Sequence, residues 1–205
     1  MKRVAGIVLI LGVICFMIGV SRPVILDYFG PGMGSKAQLI RESPDQWQFG
    51  NLMMGFGSII VAVGVATFTL ALRSRSESKR LFLTAVACAC SISLAAAYWM
   101  IVSYNRSVLP PLVTAKSIRL PDWTWPAFNI LMPLGIVLLG FIIMQRYSKW
   151  GGGLIMAIEV ISVATQQIIT QDIIPGTHFL PLLIAGISLL IFGGVENTQN
   201  PVRMT

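Results

Sequence analysis

Residues 47–73 read WQFGNLMMGFGSIIVAVGVATFTLALR. After Trp47 and one polar step at Asn51, about 20 residues pass without a charge before Arg73 closes the run, the length a helix needs to cross the hydrocarbon core of a bilayer. A second run echoes it at an offset of 78 positions. Trp47, Asn51, Met54 and Gly57 fall on Trp125, Asn129, Met132 and Gly135, and this run also ends on a basic residue, Arg146. Reading outward from the pair, the chain is expected to be all-α: a polytopic membrane helix bundle in one domain over residues 1–205.

Composition points the same way. Of 205 residues, 55% are hydrophobic and 11% charged, with a mean hydropathy of +0.78. A soluble domain covers its surface with roughly a quarter charged residues, so most of this surface must face lipid. The formal net charge of +7 sits in short clusters beside apolar runs, where basic residues set orientation and meet anionic headgroups. That placement excludes nucleic acid as the expected partner; the bilayer is, together with a membrane-protein partner or a second copy of the chain. Cys15, Cys88 and Cys90 all fall inside apolar runs, so no disulfide framework is implied.

Taken in order, the expected spans are 4–20, 51–72, 81–104, 126–145, 154–170 and 179–194, with outer loops at 21–50 and 105–125. The first run, after Met1-Lys2-Arg3, shares its basic start with signal peptides. Its Ala5, Gly12 and Gly19, recurring every seven residues, instead suit close packing of a retained helix. Gly30 to Gly34 and Ser43-Pro44-Asp45 predict turns in the first loop. In the second span Asn51, Gly55, Ser58, Ala62, Ala66 and Thr69 form a stripe that should face another helix, as Thr84, Cys88, Ser91, Ala95 and Tyr98 should in the third. Pro133 should kink the fourth. Gly151-Gly152-Gly153 predicts a turn before the fifth, and residues 171–177 a turn before the sixth.

Six spans make the charges consistent. With the N-terminus inside, Arg73, Arg75, Lys79, Arg80, Arg146 and Lys149 lie on short inner turns, as the positive-inside rule asks. The expected location is the cell membrane, with both termini cytoplasmic. The offset of 78 fits a duplicated two-helix unit, spans 1–2 then 3–4, with spans 5–6 a diverged third copy.

Counting excludes most familiar active sites. A bis-histidine haem or an HExxH zinc site needs two histidines, and the chain has one, His178. There is no Walker glycine loop and no C-x-x-C pair. Cys88 and Cys90 would stand about 200° apart on a helix, as packing residues rather than ligands. Ser58 lacks a base and reads as a packing serine. No catalytic residue, metal or cofactor is assigned. Arg119-x-x-Asp122-Trp123 resembles the third-helix signature of microbial rhodopsins, which would imply retinal on an intramembrane lysine. No lysine falls within any span, so that assignment does not follow.

The remaining candidate is a polar line in the fifth span: Glu159, Ser162, Gln166 and Thr170, spaced by three or four residues on one helical face. Glu159 lies about 13 Å along the helix from Trp150 at 1.5 Å per residue, deep enough that it must be neutral, paired or hydrated. With no basic residue in any span to pair with it, Glu159 is expected to point inward, protonated, either as interhelical glue or as a ligand or proton site. Asn51, Gly57, Asn129 and Gly135 are the candidate packing and repeat residues. Two functions compete: a small multi-pass protein binding or moving a solute, lipid or proton near Glu159, and a non-catalytic accessory subunit of a membrane complex. An intramembrane enzyme comes third.

Overall fold

The computed structural model describes residues 1–29, 36–73, 78–108, 121, 123–169 and 175–193. Every regular element among them is helical: α1 Lys2–Val20, α2 Pro23–Phe29, α3 Lys36–Glu42, α4 Pro44–Arg73, α5 Lys79–Val108, α6 Thr124–Arg146, α7 Lys149–Ile169, a 3-10 turn Pro175–His178, and α8 Phe179–Phe192. Of these, α1, α4, α5 and α6 are long and apolar enough to cross a membrane.

The six longer helices close a ring. Each packs on the next in the order α1, α4, α5, α6, α7, α8, and α8 returns to α1. Small residues let neighbouring backbones meet. Leu9, Gly12 and Gly19 of α1 lie against Gly64, Gly57 and Gly50 of α4, which makes the pair antiparallel. A Cβ on Gly57 would stand 2.7 Å from the Gly12 carbonyl oxygen, so this seam admits only glycine. The expected small face of α1, Ala5, Gly12 and Gly19, is buried. On α4, Asn51, Gly55, Ser58, Ala62 and Thr69 are buried. Ser58 donates to the Gly55 and Ala96 carbonyls, and Thr69 to those of Val65 and Ala85, tying α4 to α5.

The surface is the reverse of a soluble protein's. Ile7, Leu11, Phe56, Val63, Leu94, Ile130, Ile161, Ile168 and Ile191 are exposed, while Asn51, Glu159, Gln166 and His178 are buried. Apolar exposure on all six ring helices exceeds what a soluble monomer tolerates and is consistent with a bundle embedded in a membrane.

Two boundary expectations are corrected. The segment 21–50 is not an irregular loop: it holds α2, α3 and the first turns of α4, while residues 30–35 lie outside the described residues. Nor do Gly151, Gly152 and Gly153 turn the chain, because they form the first turns of α7. The turn comes earlier, at Tyr147 and Ser148, where the Ser148 hydroxyl accepts from the Gly151 N–H at 2.9 Å and caps the helix. Gly152 is needed for packing, since a Cβ there would run into the backbone of Met144 and the carbonyl of Gly140 on α6. Helix α6 runs on through Pro133. Cys88 is buried and Cys90 exposed, and the Cys88 thiol donates to the Gly135 carbonyl at 3.2 Å. No cluster of potential metal ligands occurs among the described residues.

Candidate functional site

Glu159 stands on the inner face of α7, with 0% of its surface exposed. Its Oε1 lies 2.6 Å from Nδ1 of His178, itself 0% exposed. The expectation that nothing basic could pair with Glu159 is therefore corrected. The chain's one histidine is buried against α7.

Local structure explains why. After α7 the chain comes back to a 3-10 turn opened by Pro175, whose last residue is His178. Pro181 stands in the first turn of α8, where a missing N–H costs no helical hydrogen bond. Gln166, two turns beyond Glu159 on the same face, donates from Nε2 to the Thr177 hydroxyl at 2.7 Å. Adjacent residues of the 3-10 turn thus reach two rungs of α7, Thr177 to Gln166 and His178 to Glu159. Ser162, between the rungs, is half-buried, and Thr170 lies outside the described residues.

Aromatic rings enclose the pair. Phe128 of α6 meets the His178 ring edge-on at 6.4 Å between centroids, and Trp99, Trp125 and Tyr98 pack around Phe128. Phe179, next to His178, stacks on Phe16 of α1 at 3.5 Å. Beside these rings a narrow, largely apolar cavity is lined by Ser58, Ala95, Ala96, Trp99, Phe128, Met132 and Phe179. It has room for about one water molecule.

The chemistry follows from the enclosure. In a low-dielectric site the favoured states are those without net charge: carboxylate with imidazolium, or carboxylic acid with imidazole. Both hold the same number of protons, so the proton belongs to the pair rather than to either residue. Glu159 Oε2 and His178 Nε2 have no hydrogen-bond partner among the described residues. One side of the pair is thus a closed hydrogen bond, and the other side keeps an acceptor and a ring nitrogen free to exchange a proton or hold a polar molecule.

The other candidate residues have structural contacts. Ser58 hydrogen-bonds to backbone carbonyls, not to a base. Asn51 is buried and donates from Nδ2 to the Trp47 carbonyl. Asn129 is half-buried on α6. Gly57 packs on α1 and Gly135 on Ile92 of α5. Of the rhodopsin-like run, Arg119 and Asp122 lie outside the described residues, and Trp123 is exposed.

What sequence reasoning missed is His178. A signal was present: Glu159 is the one acid inside an apolar run, and His178, the chain's one histidine, stands beside the sixth. Each needs a partner if buried, and they complement each other. The chain matches no protein-family model, no curated protein and no solved structure.

Proposed function

We propose that the chain is a six-span protein of the cell membrane, with both termini cytoplasmic, in which the Glu159–His178 pair binds a proton within the bundle and couples it to binding or moving a small solute. The observation that carries this reading is the 2.6 Å contact between two fully buried ionisable groups, each with a polar atom left free. Strongly interacting ionisable groups in an enclosed site are more often functional than structural, and inside a membrane they mark proton and solute pathways.

Lengths support the two further spans. The 21 residues of α7 extend about 31 Å. The 3-10 turn and α8 together reach about 29 Å, close to the bilayer core. His178 then lies within the sixth span.

Packing registers do not support a duplicated two-helix unit. Gly57 meets Gly12 and Phe16 of α1, whose counterparts 78 positions on, Cys90 and Leu94, are exposed, while Gly135 meets Ile92 of α5, whose counterpart Ile14 is exposed. The two units differ in level along the bundle. Ser58 borders the same cavity as Phe128 and Met132, rather than facing Ile136, its shifted counterpart. Asn51 is therefore not level with Asn129, which leaves the echo at 78 positions as similarity between two apolar runs.

The test is proton flux into liposomes holding the purified protein and an internal pH dye, under an imposed potential. Wild type should carry protons, and Glu159→Gln should abolish the flux while keeping the fold. Equal flux through both, or none through either, would return the pair to interhelical glue and favour the accessory-subunit reading, for which a co-purifying stoichiometric partner is the mark.

A further inference from the structure

We infer that the cavity beside Trp99 is a water site on the route by which protons reach His178 from the end of the bundle where α4 begins and α5 ends. This rests on the reading of the pair as a proton site and adds the direction and path of access.

Among the buried polar atoms in that half of the interior with no hydrogen-bond partner among the described residues are Asn51 Oδ1, Ser103 Oγ and Trp99 Nε1. Their residues are 0%, 1% and 4% exposed. They follow one another down the α4–α5 interface. Asn51 stands one turn before Gly55, and a Cβ on Gly55 would lie 3.6 Å from Ser103 Oγ. Trp99 is one turn from Ser103 and lines the cavity, with Ser58 in the facing wall. The Ser58 hydroxyl donates to the Gly55 carbonyl, which leaves its lone pairs to accept. An indole N–H without a partner and a hydroxyl, carried by two of the residues that line a space of water size, are the polar partners that a buried water requires. Phe128 and Phe179, which close the cavity, are the residues that flank His178.

Toward the other end of the bundle the described interior is dominated by fully buried Leu72, Leu139, Ile142, Ile143 and Ile155. The proton chemistry at this level is also confined to few groups. Glu159 on α7 faces His178 directly. Tyr98 packs on Phe128 from α5, and Arg106 lies over the Trp99 ring at the α5 end. The thiols of Cys15, on α1, and Cys88, on α5, donate to backbone carbonyls. No Asp, Glu, Lys or Arg occurs in residues 4–20 of α1, 51–72 of α4, 81–105 of α5, 124–145 of α6 or 179–192 of α8.

Because the chain has one histidine, protein labelled with 15N-histidine reports on His178 alone. The experiment records its ring-nitrogen signals in lipid bilayers as a time course after transfer to D2O. Rapid deuteration of the His178 ring is expected in wild type. Ala96→Leu, which fills the cavity, should slow deuteration roughly tenfold or more, while lipid-facing Val63→Leu should leave it unchanged. If Ala96→Leu does not fold, Ser58→Ala, which removes only the hydroxyl from the wall, should produce the same slowing. A His178 that exchanges equally fast in wild type and in the folded variants overturns the route and leaves the proton site standing. A His178 that does not exchange in wild type overturns both.

Discussion

His178 Nδ1 lies 2.6 Å from Glu159 Oε1, across a gap of 19 residues that the 3-10 turn closes. Neither group reaches the surface, so each is the other's main compensation for burial. Removing one partner should cost more than removing both. His178→Leu and Glu159→Leu are each expected to lower unfolding stability by about 3 kcal/mol, and the double variant by less than either single one, as for other buried pairs. Denaturation of the purified protein in a fixed lipid or detergent measures the cycle. Additive losses would mean that the two side chains do not interact.

The second rung is a neutral hydrogen bond and should be weaker. Thr177→Val removes the acceptor for Gln166 Nε2 at nearly constant volume, with an expected loss of about 1 kcal/mol. The same change should shift the ring-nitrogen signals of His178, because Thr177 holds the adjacent residue against α7. Unchanged signals would separate the two rungs.

Glycine positions should divide sharply. Gly57→Leu forces a side chain into the α1 backbone, and is expected to cost about 3 kcal/mol or to prevent assembly. Gly153, also helical, would have nothing within 4 Å of an added Cβ. Gly153→Ala should therefore be neutral or stabilise by about 0.5–1 kcal/mol through helix propensity. Thermal unfolding of the two variants beside wild type decides it, and equal effects would contradict the α1–α4 seam.

The proposed orientation rests on the basic residues between Arg73 and Arg80 and on Arg146 and Lys149. Reporter fusions at Ser76 and Thr205 should read cytoplasmic, and one at Lys36 external. A mature chain beginning near Ser21 would instead make α1 a cleaved leader and leave Gly50, Gly57 and Gly64 without their packing partner.

Sequence alone determined the helical class, the position of the runs and the small-residue faces. Those properties are set locally, by uncharged length and by a period of 3.6 residues that brings Asn51, Gly55 and Ser58 to one side. It also singled out Glu159, because a charge amid apolar residues is conspicuous in one dimension. Only the tertiary structure decided what Glu159 meets. The glycines at 151–153 read as a turn because glycine is a weak helix former, yet close approach to Gly140 and Met144 keeps them helical. His178 reads as outside the bundle because a polar turn precedes it. Its burial depends on how far the 3-10 turn carries the chain back along α7, a distance fixed by packing against Phe16, Phe128 and Gln166 that no local pattern encodes.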